Sequence, residues 1–288
     1  MRLLVLPPLI VVITASLVAA QSPITPPPIP PEQEQRLKTL PRDTQVYERF
    51  RYWAGFQPPE IQREALRHYD AYLSTLDVAP ADRAAQLRTI EEHGRRLEVD
   101  RWNRILTAEK PAFNTNPNAF LVEMVKGRTP GTALDVGMGQ GRNAVYLAQQ
   151  GWTVTGFDPA DKAVAQANAT AAKLGVRLDT VIQGSEEFDF GENRWDLIVL
   201  SYVTVRDIVD KVIRGLKPGG IVVIEGFHRD VTKQRPIGGG VVFDSNELPT
   251  LFSRLRLLRY EDVDAKSDFG GDAPSRAVRL CAMKESPR

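Results

Sequence analysis

Between residues 133 and 225, short apolar runs alternate with stretches of helical periodicity. The apolar runs fall at residues 133–136, 152–158, 179–183, 196–201 and 221–225. Those at 196–201 and 221–225 are nearly unbroken, not alternating, which is the pattern of strands buried on both faces of a parallel sheet. Helical patterns span residues 144–150 and 161–174 and pass through Ile208, Val212 and Leu216; Gly151 and Gly175 are stop signals for the first two, and residues 217–220 read as a turn. Strand and helix in regular succession predict an α/β fold. Past residue 225, a glycine-rich stretch with His228, Arg229 and Gly238 leads to a short helix near residues 247–255. Two last apolar segments, 256–260 and 277–283, predict an antiparallel pair at the sheet edge. The sum is a mostly parallel seven-stranded sheet with a terminal antiparallel strand.

Upstream the period changes. Val46, Phe50 and Trp53 share one helical face; Pro58 and Pro59 open a second helix carrying Ile61, Leu66, Tyr69, Leu73 and Leu76; Ala84, Leu87, Ile90 and Leu97 mark a third. Residues 44–110 therefore read as an accessory helical region packed on a main domain at 111–288. The main domain opens with a loop rich in Asn, Thr and Pro and a helix near Pro117 that turns Phe120, Leu121, Met124 and Val125 inward. Residues 21–43, with prolines at 23, 26–28 and 30–31, read as an extended linker without a core. Residues 1–20 are an uncharged apolar run after Arg2, ending in Val18, Ala19 and Ala20, which fits a signal peptide or a membrane anchor. Either one places the folded part outside the cytoplasm, exported or membrane-attached; a start downstream of the run would leave it inside.

Charge narrows the field only a little. With 37 Lys and Arg against 36 Asp and Glu, the chain has no general attraction for nucleic acid, and no basic stripe with interleaved aromatics stands out. Its single cysteine, Cys281, excludes an intramolecular disulfide framework and a cysteine-based metal site, and reads as a buried strand side chain. No metal site is expected.

The chemistry concentrates where the first predicted strand ends, in the sequence Asp135, Val136, Gly137, Met138, Gly139, Gln140, Gly141, followed at once by a helical pattern. Glycines at alternate positions suit a loop whose backbone touches a ligand and adopts positive φ, with the next helix aiming free N–H groups at it. A dinucleotide loop would place glycine or alanine at position 142, where this chain has Arg142. An acid followed by Gly-x-Gly-x-Gly instead resembles the first motif of class I S-adenosylmethionine-dependent methyltransferases, and the continuation through Asn143 to Gly151 and Asp158 is similar to small-molecule members of the tellurite-resistance kind. The resemblance covers residues from about 111 onward. It implies a Rossmann-like methyltransferase fold with S-adenosyl-L-methionine as cofactor.

The resemblance also distributes roles. Asp135 would face the methionine end, Gly137, Gly139 and Gly141 would form the backbone cradle with Asn143 beside it, and Pro159 would flank the adenine. Ser185 or Glu186 would meet the adenine amino group, and residues 102–118 would cover the cofactor. Asp158, at the end of the second strand, can accept both ribose hydroxyls or cap the following helix. Ser201 and Tyr202 end the fourth strand, at the carboxyl edge where open α/β sheets bind ligands. Methyl transfer from a sulfonium needs alignment and a water-poor pocket more than acid chemistry. If a base is used, His228 is the first candidate and Tyr202 the second, against a structural role for each. The acceptor is expected to be a small molecule. The rival readings are a non-catalytic cofactor-binding or scaffold protein and, on fold analogy alone, a nicotinamide oxidoreductase.

Overall fold

The computed structural model describes residues 22–62, 64–269 and 274–286. The export or anchor segment at 1–20 lies outside the described residues. Among those described, no helix is long and apolar enough to cross a membrane.

The N-terminal part is helical: α1 (Pro31–Lys38), α2 (Arg42–Gly55), α3 (Pro59–Gln62), α4 (Ala65–Thr75) and α5 (Pro80–Leu106). Its own core joins Trp53, Tyr69, Ile90 and Leu97 from three of these helices, with Phe50 edge-on to Tyr69. The expectation of a coreless linker over 21–43 is corrected here. Pro31 sits in the first turn of α1, where its missing N–H costs nothing, and Leu37 is only 1% exposed. The preceding extended stretch is docked as well: the side chain of Gln57 accepts from Ile24 N at 2.8 Å and donates to Ile24 O at 2.7 Å.

The main domain begins with α6 (Ala119–Val125), capped by Asn118, whose Oδ1 accepts from Leu121 N at 2.9 Å. There follow β1 (Thr132–Val136), α7 (Arg142–Gln149), β2 (Thr153–Phe157), α8 (Asp161–Lys173), β3 (Asp179–Val181), β4 (Trp195–Ser201), α9 (Val209–Gly215), β5 (Leu216–His228), β6 (Val242–Phe243), α10 (Glu247–Leu251), β7 (Arg256–Lys266) and β8 (Pro274–Met283). The sheet order is β3-β2-β1-β4-β5-β8-β7, with β6 pairing β5 off this path. β8 is antiparallel to both neighbours and the other pairings are parallel.

Residues alternate across the sheet into two cores. Leu134, Val136, Ile198, Leu200, Val222 and Ile224 pack on one face, and Ala133, Val154, Leu197, Val199, Ile221 and Val223 on the other. Both faces are apolar, as the unbroken runs require. Cys281, on β8 opposite Val223, is buried, and burial pushes its thiol up to about 11. Two details differ from the sequence reading. The sheet has eight strands because β6, only two residues long, pairs Phe227 with Val242 and His228 with Phe243. Residues 217–220 extend β5 instead of turning, held by Lys284, whose carbonyl accepts from Gly219 N and whose N–H donates to Gly220 O. Strand order reverses between β1 and β4, which opens a crevice at their carboxyl ends.

Candidate active site

The glycine loop between β1 and α7 fills that crevice. Gly137, Gly139 and Gly141 have φ of 62°, 55° and 81°, in the left-handed region that side chains rarely adopt. A Cβ on Gly137 would lie 2.6 Å from Val203 Cγ1, and one on Gly141 would lie 2.7 Å from Ala167 Cβ. Gly141 therefore lets α7 and α8 approach closely, the service that a dinucleotide loop obtains from a glycine one position later. Arg142 is free to turn elsewhere.

Asp135, next to last in β1, lies below this loop and is 1% exposed. It accepts one bond from the Ala144 backbone, and its Oδ2 is buried without a partner among the described residues. Burial raises its carboxyl to about 7, against the pull of Arg142. A buried carboxylate oxygen with nothing to bond fits a cationic ligand group. Asp158, at the end of β2, is also buried; its Oδ2 accepts from Gly139 N at 2.9 Å and its Oδ1 from Ala160 N at 2.8 Å. It ties the glycine loop to the second strand, and burial holds its carboxyl above the usual range despite both bonds. The observed bonds are to the loop and to the turn before α8, and each oxygen keeps acceptor capacity for a hydroxyl.

Asn143 uses its side-chain oxygen to accept from Asn118 N at 2.9 Å, so the bond it makes here holds the lead-in loop. Ser201 Oγ lies 3.2 Å from Arg142 Nη2. Arg142 also donates to Asn116 O at 3.0 Å and to Asp268 Oδ2 at 2.7 Å, an ion pair with both side chains only 8% exposed. Asp268 in turn accepts from the side chains of Asn114 and Asn118. Phe113 stacks on Phe269 with ring centroids 5.3 Å apart. Residues 113–118, the start of α7 and residues 267–269 are thus locked together across the sheet edge.

A cavity of about 1220 Å³ opens over the loop, more than a single drug-sized ligand needs. Asp135, Gly137, Gly139, Asn143, Asp158, Pro159, Ser185, Glu186, Ser201 and Tyr202 line it, so the structure gathers these expected residues in one place. Gly141 is packed under the loop against Ala167. The opposite wall comes from the helical region, through Arg51 of α2 and Arg95, Glu98, Trp102 and Leu106 of α5. α5 is fixed to the main domain by Asn103, which donates to Asp161 Oδ1 at 2.7 Å and accepts from Lys162 N at 3.0 Å. Arg95 pairs with Glu187 and reaches Glu186 beside the 184–187 turn.

Comparison with known proteins agrees with this geometry. Residues 133–220 match a family model described as a methyltransferase domain. The match places a methyltransferase domain within residues 133–220. It is 38% identical over 104 residues to the uncharacterized methyltransferase sll0829 of Synechocystis, covering 33% of this chain and 47% of that protein. It is 28% identical over 158 residues to the probable S-adenosyl-L-methionine-dependent methyltransferase TehB of Haemophilus influenzae, covering 52% and 55%. The chain thus spans about half the length of these curated relatives. Among solved structures, TehB from Haemophilus influenzae is similar with a TM-score of 0.52 and 24% identity, over 58% of this chain and 62% of that one. The N-methyltransferase NodS from Bradyrhizobium japonicum, in complex with S-adenosyl-L-homocysteine, matches with a TM-score of 0.52 and 17% identity, over 65% and 98%. At these identities the structural likeness establishes the fold.

The two candidate bases stand differently in the structure, and the position of His228 is a correction. His228 does not line the cavity. Side chains alternate along β5; Phe227 faces the cavity, so His228 faces away. There its Nδ1 accepts from Asp230 N at 3.1 Å and its Nε2 lies 3.3 Å from Ser245 Oγ. Tyr202 does line the cavity, at φ 57°, but its hydroxyl donates to Glu225 Oε1 at 2.6 Å and accepts from Asp268 N at 3.2 Å. Burial and the Glu225 charge push that hydroxyl far above its ordinary value, which opposes a role as base near neutral pH. Among the described residues no histidine lines the cavity. The sequence reading missed Asp268, Glu225 and Arg235, which β5, β8 and the loops after β5 and β7 bring from far along the chain.

Proposed function

We propose that this chain is an S-adenosylmethionine-dependent methyltransferase acting on a small-molecule acceptor. The observation that carries the reading is the buried, unpartnered Oδ2 of Asp135 beside a glycine cradle closed to side chains, which suits the ammonium end of the cofactor. Asp158 would meet the ribose hydroxyls, Pro159 the adenine face, and Ser185 and Glu186 the adenine edge. The cofactor supplies an activated methyl on a sulfonium with a neutral leaving group. The protein's own contribution is alignment and exclusion of water: Trp102, Leu106, Phe113 and Phe269 wall the cavity with apolar surface, and the Arg142–Asp268 pair fixes the loop that carries the cradle. Among the described residues no histidine lines the cavity, so a base, where the acceptor needs one, has to come from another group.

TehB, a methyltransferase by name, supports methyl transfer as the reaction. A small acceptor is supported by the near-neutral charge balance, which draws no polynucleotide. The test supplies full-length protein with methyl-labelled S-adenosylmethionine and either the low-molecular-weight or the macromolecular fraction of a cell extract. Label entering the small-molecule fraction, with S-adenosylhomocysteine formed in step, is expected. Label entering only macromolecules, or none anywhere, would overturn the reading.

A further inference from the structure

The cations on the cavity wall are matched by carboxylates with one exception. Arg142 pairs with Asp268, Arg206 with Glu247, Arg101 with Glu48, and Arg95 with Glu186 and Glu187; Arg51 lies 3.4 Å from Glu98. Arg235 lines the same cavity and has no carboxylate in ion-pair range among the described residues. Its one hydrogen bond there runs from Nη1 to Phe269 O at a long 3.4 Å. The guanidinium sits 5.3 Å from the centroid of the Phe227 ring.

Two neighbouring features turn this from an unpaired charge into a binding wall. The first is aromatic: Tyr202 contacts Phe227 at 4.8 Å and Phe269 at 5.2 Å between centroids, and Phe269 stacks on Phe113. These rings join the Arg235 guanidinium to the glycine-loop side of the cavity, because Ser201, which touches Arg142, directly precedes Tyr202. The second is Arg51, across the cavity on α2. Its Nε, 3.4 Å from Glu98, makes no hydrogen bond among the described residues, and its Nη2 lies 3.2 Å from where a Cβ on Gly238 would stand, three residues from Arg235. Burial pulls the Arg235 guanidinium below its usual range, as befits a cation without an anion to compensate it. A guanidinium offers a planar fork of donors that fits a carboxylate.

We propose that Arg235 is the anion-recognising residue of the acceptor site and that the acceptor is a small aromatic carboxylate. The carboxylate meets Arg235, with Arg51 as a second cation nearby, and the ring takes the apolar wall of Phe113, Phe227 and Phe269. This rests on the methyltransferase reading and names the acceptor class for that same site.

The test is calorimetric titration of the full chain saturated with S-adenosylhomocysteine. The probes are benzoate, 4-hydroxybenzoate and 4-aminobenzoate, each against its neutral amide. At least one carboxylate is expected to bind at least about tenfold more tightly than its amide, the size of one charge-assisted contact. In Arg235→Gln that preference should vanish while S-adenosylhomocysteine affinity stays within twofold, which also reports a folded variant; Arg235→Lys should keep part of the preference. Carboxylates that bind no better than amides, that do not bind at all, or whose preference survives in Arg235→Gln would overturn the assignment. Failure of S-adenosylhomocysteine to bind the wild-type chain would sink the underlying methyltransferase reading instead, so the two failures are distinguishable.

Discussion

Replacing Asp135 by Asn should make the ligand-free protein more stable above neutral pH and at the same time weaken its hold on the cofactor. The carboxyl titrates at about 7 in the fold against 3.8 when exposed to water, because burial penalises the charged form. At about 1.4 kcal/mol per pH unit, keeping that carboxylate ionised in the folded chain costs about 4 kcal/mol at pH 8. The sign follows from the raised value. Below about pH 4 both folded and unfolded chains are protonated and there is no penalty; it grows as pH rises from 4 and is complete above about 7. Asn removes the charge and can still accept from Ala144, but it leaves an amide N–H group where Oδ2 had no partner, which returns about 1–3 kcal/mol. The net gain at pH 8 is therefore about 1–3 kcal/mol, or several degrees in Tm for a chain of this size. Cofactor affinity should fall about ten- to a hundredfold, since the ammonium group loses its charged acceptor. Thermal unfolding of both proteins from pH 4 to pH 8, with calorimetric titration of S-adenosylmethionine at pH 8, measures both halves. A variant less stable than wild type at pH 8, a stability gain equally large at pH 4, or an unchanged affinity would refute the reasoning.

Three further outcomes follow from the geometry. Gly141→Ala puts a Cβ at φ 81° and 2.7 Å from Ala167 Cβ, and should cost roughly 2 kcal/mol or more in urea unfolding; a loss well below that would mean the helices separate easily. Arg142→Met strands the Asp268 carboxylate in a buried site and should destabilise by about 3–5 kcal/mol, with part recovered by adding Asp268→Asn; additive losses in that cycle would show the two side chains are not coupled. Tyr202→Phe removes the bond to Glu225 and should cost about 1–3 kcal/mol of stability, while the pH profile of methyl transfer between about 7 and 9 keeps its shape because the hydroxyl does not titrate there. A titration step that disappears in the variant would restore Tyr202 as a base.

The parts of the site legible in the sequence are those whose chemistry is local. Asp135 and the three glycines lie within seven residues, and their spacing alone implies the strand, the positive-φ loop and the helix that the structure shows. Asp158 was legible for the same reason, as the last residue before a turn. What escaped depends on pairings that local patterns do not encode. Asp268 reaches Arg142 only because β7, at the sheet edge, runs parallel to β5 and delivers residues 267–269 back over the glycine loop. His228 shows the opposite failure: its position just past an apolar run suggested the cavity, yet the strand continues through it, and one residue of alternation turns it away. The proline-rich stretch misled because composition speaks to local conformation, whereas Gln57 and the burial of Leu37 hold it in place. The helical region was read as packing alone; its role as the far wall of the cavity follows from Asn103 docking α5 on α8.

The most direct test of the central claim is calorimetric titration of the full chain with S-adenosylmethionine, S-adenosylhomocysteine and NADH in parallel. The account predicts that the first two bind at a single shared site and compete with each other, and that NADH does not bind. Tight NADH binding, or binding of none of the three, would contradict it.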